Sequence, residues 1–393
     1  SLTDPGQMFD FLSRRCNEPL PASRSGKAMA CCHLLGALLA KAQFSGRSDQ
    51  LPLELERLFL YSLAWSVGGL LEPEDRHKFD AKVRELAGPA QMPEYEEGET
   101  IYEYMVDEKS TWQLWRPPAW TYPEGDKLDF SNLLVPTMDS TRSLFLIQTL
   151  MKNRHAVCLV GSEGTAKTSN ALMFCEMVKE DGSLVKRVNY SFATTMFGAQ
   201  SAVEVELDKR GGKSFGPPNG KKMTVFIDDI SMPEVNNWGD QTTLELVRQL
   251  VEQGGFCFLD KDKRGDFKTC EDLQYLAAMQ HPGSGKNDIP NRLKRNFFIF
   301  NLVLPSITSI NDIYGQMLDG RFTAGAGFDA PTLDSVGKLT DATIQLWRVM
   351  KAKMLPTPAK FHYVFNMRDL SRIFQGVLLT PKDTILSSGG IMA

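Results

Sequence analysis

Residues 156–168 read A-V-C-L-V-G-S-E-G-T-A-K-T, an apolar segment followed by a glycine loop that ends in Lys-Thr. The segment matches the phosphate-binding P-loop pattern G-x-x-x-x-G-K-[ST], except that Ala166 stands where the last glycine is expected. Residues 169–178, S-N-A-L-M-F-C-E-M-V, have the pattern of a helix, so the order strand, loop, helix is predicted. The alternative interpretation is an ordinary strand-to-helix turn with a solvated lysine.

The residues of this loop suit the binding of a nucleotide with Mg²⁺. Backbone N–H groups of such a loop bind phosphate oxygens at a helix N-terminus. Lys167 would neutralise the outer phosphates, and the Thr168 hydroxyl would bind Mg²⁺. The candidate nucleotide-binding residues of the loop are Gly161, Ser162, Glu163, Gly164, Thr165, Ala166, Lys167, Thr168 and Ser169.

A second motif, T-V-F-I-D-D at residues 224–229, has the form of an apolar strand that ends in two acids. In a Walker B strand the first carboxylate, here Asp228, reaches Mg²⁺, and the second, here Asp229, orients or deprotonates the attacking water. The alternative is a buried strand that ends in a polar turn. Aspartate is one methylene shorter than glutamate, and a misplacement of about 1 Å can cost about a hundredfold in rate. Nucleotide binding is therefore the firmer expectation, and fast turnover is not expected.

Composition excludes several classes of protein. The chain has 393 residues, enough for two or three compact units, with 44 basic and 48 acidic residues and a net charge of −4. A nucleic-acid-binding machine usually has a basic surplus, so no nucleic-acid partner is expected. No apolar run approaches the length of a membrane span, and no membrane partner is expected. The seven cysteines lack the spacing of a zinc site, and most lie in apolar surroundings, so buried free thiols are expected rather than disulfides.

The pattern along the chain divides it into four regions. Residues 1–88 are predicted to be helical, with helices at 28–44, 53–71 and 76–86. Residues 89–132, rich in Pro, Glu and aromatic residues, are expected to form an extended connector whose tryptophans cap a core. Residues 133–305 alternate strands and helices, which predicts a parallel α/β sheet covered on both faces. Residues 306–393 are again helical, with helices at 307–317, 332–354 and 366–378.

Long stretches around these motifs resemble a dynein heavy chain. They include V-P-T-M-D-S-T-R (135–142), F-G-P-P-N-G-K-K-M-T-V-F-I-D-D-I-S-M-P (215–233), A-A-M-Q-H-P-G-S-G-K-N-D-I-P-N-R-L-K-R (277–295) and M-L-P-T-P-A-K-F-H-Y-V-F-N-M-R-D-L-S-R (354–372). The likeness covers nearly the whole chain and is greatest to the third AAA+ module of an axonemal dynein of the outer-arm type. It implies a fragment that spans the end of the second module, with a lid at 1–88, and most of the third.

The resemblance also implies roles for residues outside the two motifs. Val135, Pro136 and Thr137 match the loop beside the adenine base, and Gln280 matches a sensor between the Walker motifs that is often Asn. Arg368 matches the second sensor, a guanidinium that a helical lid places near the outer phosphates.

The same resemblance makes Arg292 and Arg295 candidates for an arginine finger that serves a neighbouring module in trans. A solvated basic helix end is the alternative for both.

At the level of function, the resemblance implies an AAA+ module that binds ATP or ADP with Mg²⁺, hydrolyses ATP slowly and regulates a motor. The implied partners are neighbouring AAA+ modules, dynein intermediate and light chains, and microtubules; the implied location is the cytoplasm and the axoneme of a cilium or flagellum. Two rival interpretations remain. One is a structural module that holds a nucleotide without turnover, and the other is an AAA+ remodelling ATPase outside the dyneins.

Overall fold

The structure is a computed structural model that describes residues 6–380 apart from 89–90, 124–129, 131–132, 259–260, 264, 284 and 326. Residues 381–393, the end of the region predicted to be helical, lie outside the described residues. The chain divides into two compact units. Unit 1 contains the described residues of 1–115, 142–162 and 166–303, and unit 2 contains those of 116–141, 163–165 and 304–393.

Helices predominate in the first part of unit 1. Their bounds are α1 (Gly6–Arg15), α2 (Arg24–Leu39), α3 (Leu51–Ser66) and α4 (Pro73–Ala87). Helix α3 is buried from Leu60 to Ser66, as its nearly all-round apolar sequence predicts. It ends at Ser66 rather than at residue 71, and Gly68 and Gly69, which have low helix propensity, follow it. A Cβ on Gly68 would lie only 2.2 Å from the Tyr102 hydroxyl.

The predicted extended connector contains a short antiparallel pair, β1 (Tyr104–Val106) and β2 (Trp112–Leu114). Trp115, which follows β2, is 3% exposed, and its ring lies 5.3 Å from that of Phe145 in an edge-on contact. The core-capping interpretation of this tryptophan is therefore confirmed.

The centre of unit 1 is a five-stranded parallel sheet in the order β11-β3-β10-β7-β4. Its strands are β3 (Ala156–Val160), β4 (Leu184–Asn189), β7 (Met223–Asp228), β10 (Leu273–Met279) and β11 (Phe297–Asn301). Helix α5 (Met138–Lys152) precedes β3. The helices between the strands are α6 (Lys167–Glu180), α7 (Met196–Glu204), α8 (Thr242–Gln253) and α9 (Asn291–Lys294).

Helices cover both faces of this sheet, as predicted. Helix α6 packs against β4, β7 and β10. On the opposite face, alternate residues such as Cys158 and Ile227 join a buried cluster with Leu244 and Val247 of α8. Strands β3, β7 and β11 are buried throughout, because a parallel sheet covered on both sides has no face in water. Burial raises the pKa of Cys158 on β3 to about 12, so this thiol stays protonated.

A second sheet, which the sequence analysis did not predict, has the order β5-β6-β9-β8. Its strands are β5 (Asp208–Gly211), β6 (Ser214–Gly216), β8 (Gly255–Cys257) and β9 (Phe267–Cys270). Strands β8 and β9 pair antiparallel, and part of the segment between them lies outside the described residues. These strands are too short and too polar to show the period-two pattern that predicts a strand.

Unit 2 is helical, with α10 (Ile307–Arg321), α11 (Ala330–Lys353) and α12 (Met367–Leu379) close to their predicted bounds. Its core joins Tyr314 of α10, Ile344 of α11 and Phe374 of α12. The rings of Tyr314 and Phe374 stack with their centroids 4.2 Å apart. Val135 belongs to the same core, and Trp120 packs against it.

Candidate functional site

The two motifs of unit 1 meet at one edge of the parallel sheet. Strand β10 lies between β3, which precedes the glycine loop, and β7, which carries Asp228 at its end. Ala277 of β10 pairs with both Cys158 and Ile227, so the three strands run in register to the same edge. In open α/β sheets, ligands bind outside the carboxyl ends of the strands, which is where the motifs lie.

The glycine loop has an alanine in a left-handed conformation. Ala166 has φ 57° and ψ 27°, and Lys167 begins α6 directly after it. The consensus glycine would adopt this conformation without strain, whereas a side chain at such a φ costs roughly 1–2 kcal/mol. Ala166 thus replaces the consensus glycine, but the loop backbone keeps the left-handed conformation that suits glycine.

Lys167 contacts the loop that it follows. Its Nζ atom donates hydrogen bonds to the carbonyl oxygens of Gly161, at 2.9 Å, and Ser162, at 2.7 Å. These bonds hold the ammonium group inside the curve of the loop. A cation in this place suits an anionic ligand.

Gly164, at the tip of the loop, belongs to unit 2 and lies against the start of α12. A Cβ at this position would be 3.1 Å from the Cβ of Met367, and the backbone has φ +79°. Both the space and the conformation therefore require glycine. Arg368, the residue after Met367, is exposed, and its backbone N–H donates to the capping Asn366 side chain at 2.8 Å.

Thr168 and Asp228, the predicted metal ligands, are in direct contact. The Thr168 hydroxyl lies 3.2 Å from Oδ2 and 3.3 Å from Oδ1 of Asp228, and Asp228 is only 8% exposed. A hydroxyl and a carboxylate are the hard oxygen ligands that Mg²⁺ prefers, and Mg²⁺ takes few protein ligands because it keeps several waters. These two residues fit Mg²⁺. Within the described part of the chain, no group of three or more His, Cys, Asp or Glu residues could hold another metal.

The other two catalytic candidates of unit 1 also follow sheet strands. Asp229 is half-buried with φ 54°, and its carbonyl accepts from Met232 N in a tight turn. Gln280 follows β10 directly and is half-buried. The turn expected after the acidic pair is present.

Two groups of this edge were missed by sequence reasoning. Arg187 of β4 donates from Nη2 to Oδ2 of Asp228 at 2.8 Å. In the sequence Arg187 is one basic residue in a strand, and only the pairing of β4 with β7 shows its partner. No pattern in the sequence could have indicated this ion pair.

The second missed group is a partly buried series of hydrogen bonds that starts at the loop. His281 accepts at Nδ1 from the Ser162 hydroxyl, over 3.4 Å, and donates from Nε2 to the Asn301 side chain, over 2.8 Å. The Asn301 side chain in turn donates from Nδ2 to Glu72 at 3.0 Å, and the backbone carbonyl of Asn301 accepts from Arg76 at 2.8 Å. The series connects the glycine loop to the start of α4 within unit 1.

The predicted adenine-loop residues of unit 2 have structural contacts. Val135 is 7% exposed in the core of unit 2, and Pro136 is half-buried. Thr137 caps α5, because its hydroxyl accepts from Ser140 N at 3.2 Å while the Ser140 hydroxyl accepts from Thr137 N at 2.7 Å. Their role beside a base stays a prediction.

The two finger candidates differ in their surroundings. Arg295 is ion-paired with Glu252 of α8, with 2.5 Å between Nη2 and Oε1. The side chain of Arg292 is exposed on α9 and has no hydrogen bond or ion pair within the described residues. Of the two, Arg292 is therefore the one whose side chain is available to a neighbouring protein.

Comparisons with known proteins place the site in a family. The family sequence model of the P-loop containing dynein motor region matches residues 122–305, that of the dynein heavy chain AAA lid domain matches 6–117, and that of the AAA+ lid domain matches 339–391.

Individual relatives agree with these models. Dynein axonemal heavy chain 5 of Rattus norvegicus is 45% identical over 90% of this chain and 10% of its own length. The dynein gamma chain of the flagellar outer arm of Chlamydomonas reinhardtii is 45% identical over 85% of this chain and 8% of its own length. Dynein axonemal heavy chain 8 of Mus musculus is 42% identical over 94% of this chain and 8% of its own length. The chain thus spans about a tenth of the length of these relatives.

None of the described helices is both long enough and apolar enough to cross a membrane. The parallel sheet in which β3 leads into a P-loop, the lid matches and the axonemal relatives lead to one assignment. The chain is an AAA+ protein with a P-loop domain and helical lids, and it belongs to the dynein heavy chain family.

Proposed function

We propose that this chain is a nucleotide-binding AAA+ module of an axonemal dynein motor and that it binds ATP or ADP together with Mg²⁺. The observation that carries the proposal is the contact of Thr168 with Asp228, at 3.2 Å, beside a loop that holds the Lys167 ammonium group. Lys167 would bind the outer phosphates, and Thr168 and Asp228 would hold the metal ion. Bound Mg²⁺ would neutralise charge on the phosphate oxygens.

We propose further that hydrolysis at this site is slow and that the site regulates the motor. Asp229 would orient the attacking water with a side chain one methylene shorter than glutamate, so its reach limits the rate. Gln280 and Arg368 would sense the γ-phosphate, and the nucleotide state would bias the angle of the lid.

The arrangement of modules remains part of this proposal. Residues 1–88 would be the lid of the preceding module, 89–132 the connector, 133–305 the nucleotide-binding subdomain and 306–393 its own lid. Arg292 would serve the nucleotide of the neighbouring module, because its side chain is exposed and unpaired within the described residues. The ion pair of Arg295 with Glu252 supports a structural role for that residue.

The partners and the location follow from the relatives by analogy. Two of those relatives are named as axonemal dynein heavy chains, and the third as a dynein chain of a flagellar outer arm. We propose that the module acts within a motor of this kind, next to other AAA+ modules, in the axoneme of a cilium or flagellum. Microtubules and the intermediate and light chains would be reached through other parts of such a motor.

A second candidate function is a structural module that holds a nucleotide without turnover, and Asp229 favours it. Measurement of steady-state Mg·ATP turnover by the purified chain and by the Asp229→Glu variant distinguishes the slow ATPase from the structural module. A slow ATPase should turn over faster in the variant, by about tenfold to a hundredfold, with nearly unchanged nucleotide affinity. Asp240→Glu, which lengthens an exposed carboxylate in the segment after β7, is the matched control. Turnover that is absent from both the parent and Asp229→Glu would favour the structural module.

A further inference from the structure

The guanidinium group of Arg187 is held in a fixed orientation beside Asp228, the carboxylate that would hold the metal ion. Arg187 lies on β4, next to β7 in the sheet. Its Nε donates to the Asn189 side chain at 2.9 Å, and its Nη2 donates to Oδ2 of Asp228 at 2.8 Å. Two bonds from different nitrogens fix the plane of the guanidinium, so the contact with Asp228 is directed rather than a chance approach of a flexible side chain.

The same carboxylate has a second partner at the glycine loop. The Thr168 hydroxyl lies within 3.3 Å of both oxygens of Asp228. The Asp228 side chain is 11% exposed, whereas the Arg187 side chain is 41% exposed. The guanidinium therefore neutralises a nearly buried carboxylate from the solvent side, and it can leave that carboxylate without passing through the core.

Arg187 and a divalent metal ion would both interact with the negative charge of the Asp228 carboxylate. Mg²⁺ binds ionised carboxylate oxygens, and an arginine at this distance uses the charge and a lone pair of one of them. The Arg187 bond occupies Oδ2 and offsets the charge of the carboxylate, so a metal ion at Asp228 is held less strongly while that bond is kept.

We propose that Arg187 competes with Mg²⁺ for Asp228 and thereby sets how much Mg²⁺ the nucleotide site requires. This inference rests on the proposed function, because it concerns the same site. It assigns Arg187 as a positioning residue that acts through Asp228, and it distinguishes this site from a P-loop site in which the Walker B carboxylate has no basic partner on the neighbouring strand.

The test is calorimetric binding of ADP to the purified chain over a series of Mg²⁺ concentrations that begins in EDTA. ADP is the probe because it is not consumed. Arg187→Gln should lower the Mg²⁺ concentration for half-maximal enhancement of binding by about tenfold, the equivalent of about 1.4 kcal/mol. Arg187→Lys keeps the positive charge and should stay much closer to the parent chain. The Mg²⁺-dependent rise of the thermal unfolding midpoint at fixed ADP is a second readout that also shows whether the variant is folded.

The matched control is Lys186→Gln. Lys186 is the preceding residue of β4 and pairs with Glu206 at 2.7 Å, so the control removes one positive charge from the same strand without touching Asp228. The inference is overturned if Arg187→Gln and Lys186→Gln require the same Mg²⁺ concentration. It is also overturned if Arg187→Gln weakens ADP binding equally with and without Mg²⁺, which would place the guanidinium on phosphate. If the parent chain binds no ADP at any Mg²⁺ concentration, the proposed function itself fails, and this inference fails with it.

Discussion

The Thr168 hydroxyl at the start of α6 lies 3.2 Å from the Asp228 carboxylate at the end of β7, although sixty residues separate the two in sequence. Both were predicted as metal ligands from their motifs, and the parallel register of β3, β10 and β7 brings them together. Their contact supplies the oxygen pair on which the proposed Mg²⁺ site depends.

Removal of the Thr168 hydroxyl should weaken metal-dependent binding selectively. Thr168→Val keeps the shape of the side chain but loses the oxygen, so we expect Mg·ADP affinity to fall by about tenfold, the equivalent of about 1.4 kcal/mol. Binding of ADP in EDTA should change little. Calorimetry under both conditions measures the difference, and Thr269→Val, at an exposed threonine of β9, is the control. An equal loss with and without Mg²⁺ would argue against a metal-binding role.

Restoration of the consensus glycine should stabilise the chain. Ala166 has φ 57°, and its left-handed strain of roughly 1–2 kcal/mol exceeds the extra backbone entropy that a glycine loses on folding, 0.4–1 kcal/mol. Ala166→Gly should therefore raise the free energy of unfolding by about 0.5–1 kcal/mol in urea titrations.

The control for this change is another exposed alanine with an ordinary backbone. Ala40 has φ −64° and caps α2, so Ala40→Gly gains no relief of strain and should lower the free energy of unfolding. If both variants lose stability by the same amount, the left-handed conformation of Ala166 is not strained.

The stacked pair of His33 on α2 and His155 before β3 should make stability sensitive to pH. Their ring centroids are 4.0 Å apart, and burial lowers the pKa of both, with the charge of His33 lowering that of His155 further. The unfolded chain then takes up protons first, near pH 6.5, while the folded chain does not. Stability should fall as pH drops from about 6.5 to the lowered folded pKa values and should be unaffected by this pair above that range.

Urea titrations between pH 5 and 8 on the parent chain and on His155→Phe measure this effect. The variant keeps an aromatic ring but cannot be protonated, so its decline on acidification should be shallower, with each unit of lowered pKa worth about 1.4 kcal/mol. His77→Gln, at an exposed histidine of α4, controls for the loss of a histidine. Parallel curves for the parent and His155→Phe would contradict the prediction.

Much of the fold could be predicted because its signals are local. The buried strands β3 and β7 are continuous apolar runs, and the three helices of unit 2 lie near their predicted bounds. The second sheet was missed because its strands are three or four residues long and largely polar, so only their pairing defines them.

The site was predictable to the same degree. Lys167, Thr168 and Asp228 belong to motifs in which residue type and spacing indicate phosphate and metal binding, so the sequence alone identifies them. Arg187 and the His281–Asn301 pair depend on which strands and loops become neighbours, and a single sequence does not show that. The sequence shows that Ala166 departs from the P-loop pattern, but only the structure shows that its φ is 57° and that its backbone is strained.

The central claim is that the loop at 161–168 binds nucleotide phosphates, and calorimetric titration of Mg·ADP into the parent chain and Lys167→Ala tests it most directly. Lys179→Ala, at an exposed lysine of the same helix that pairs with Glu176 at 2.7 Å, is the control. We predict binding to the parent and to Lys179→Ala, and a loss of about a hundredfold or more in Lys167→Ala, the equivalent of about 3 kcal/mol. Equal affinity in all three proteins, or no binding to the parent, would contradict the account.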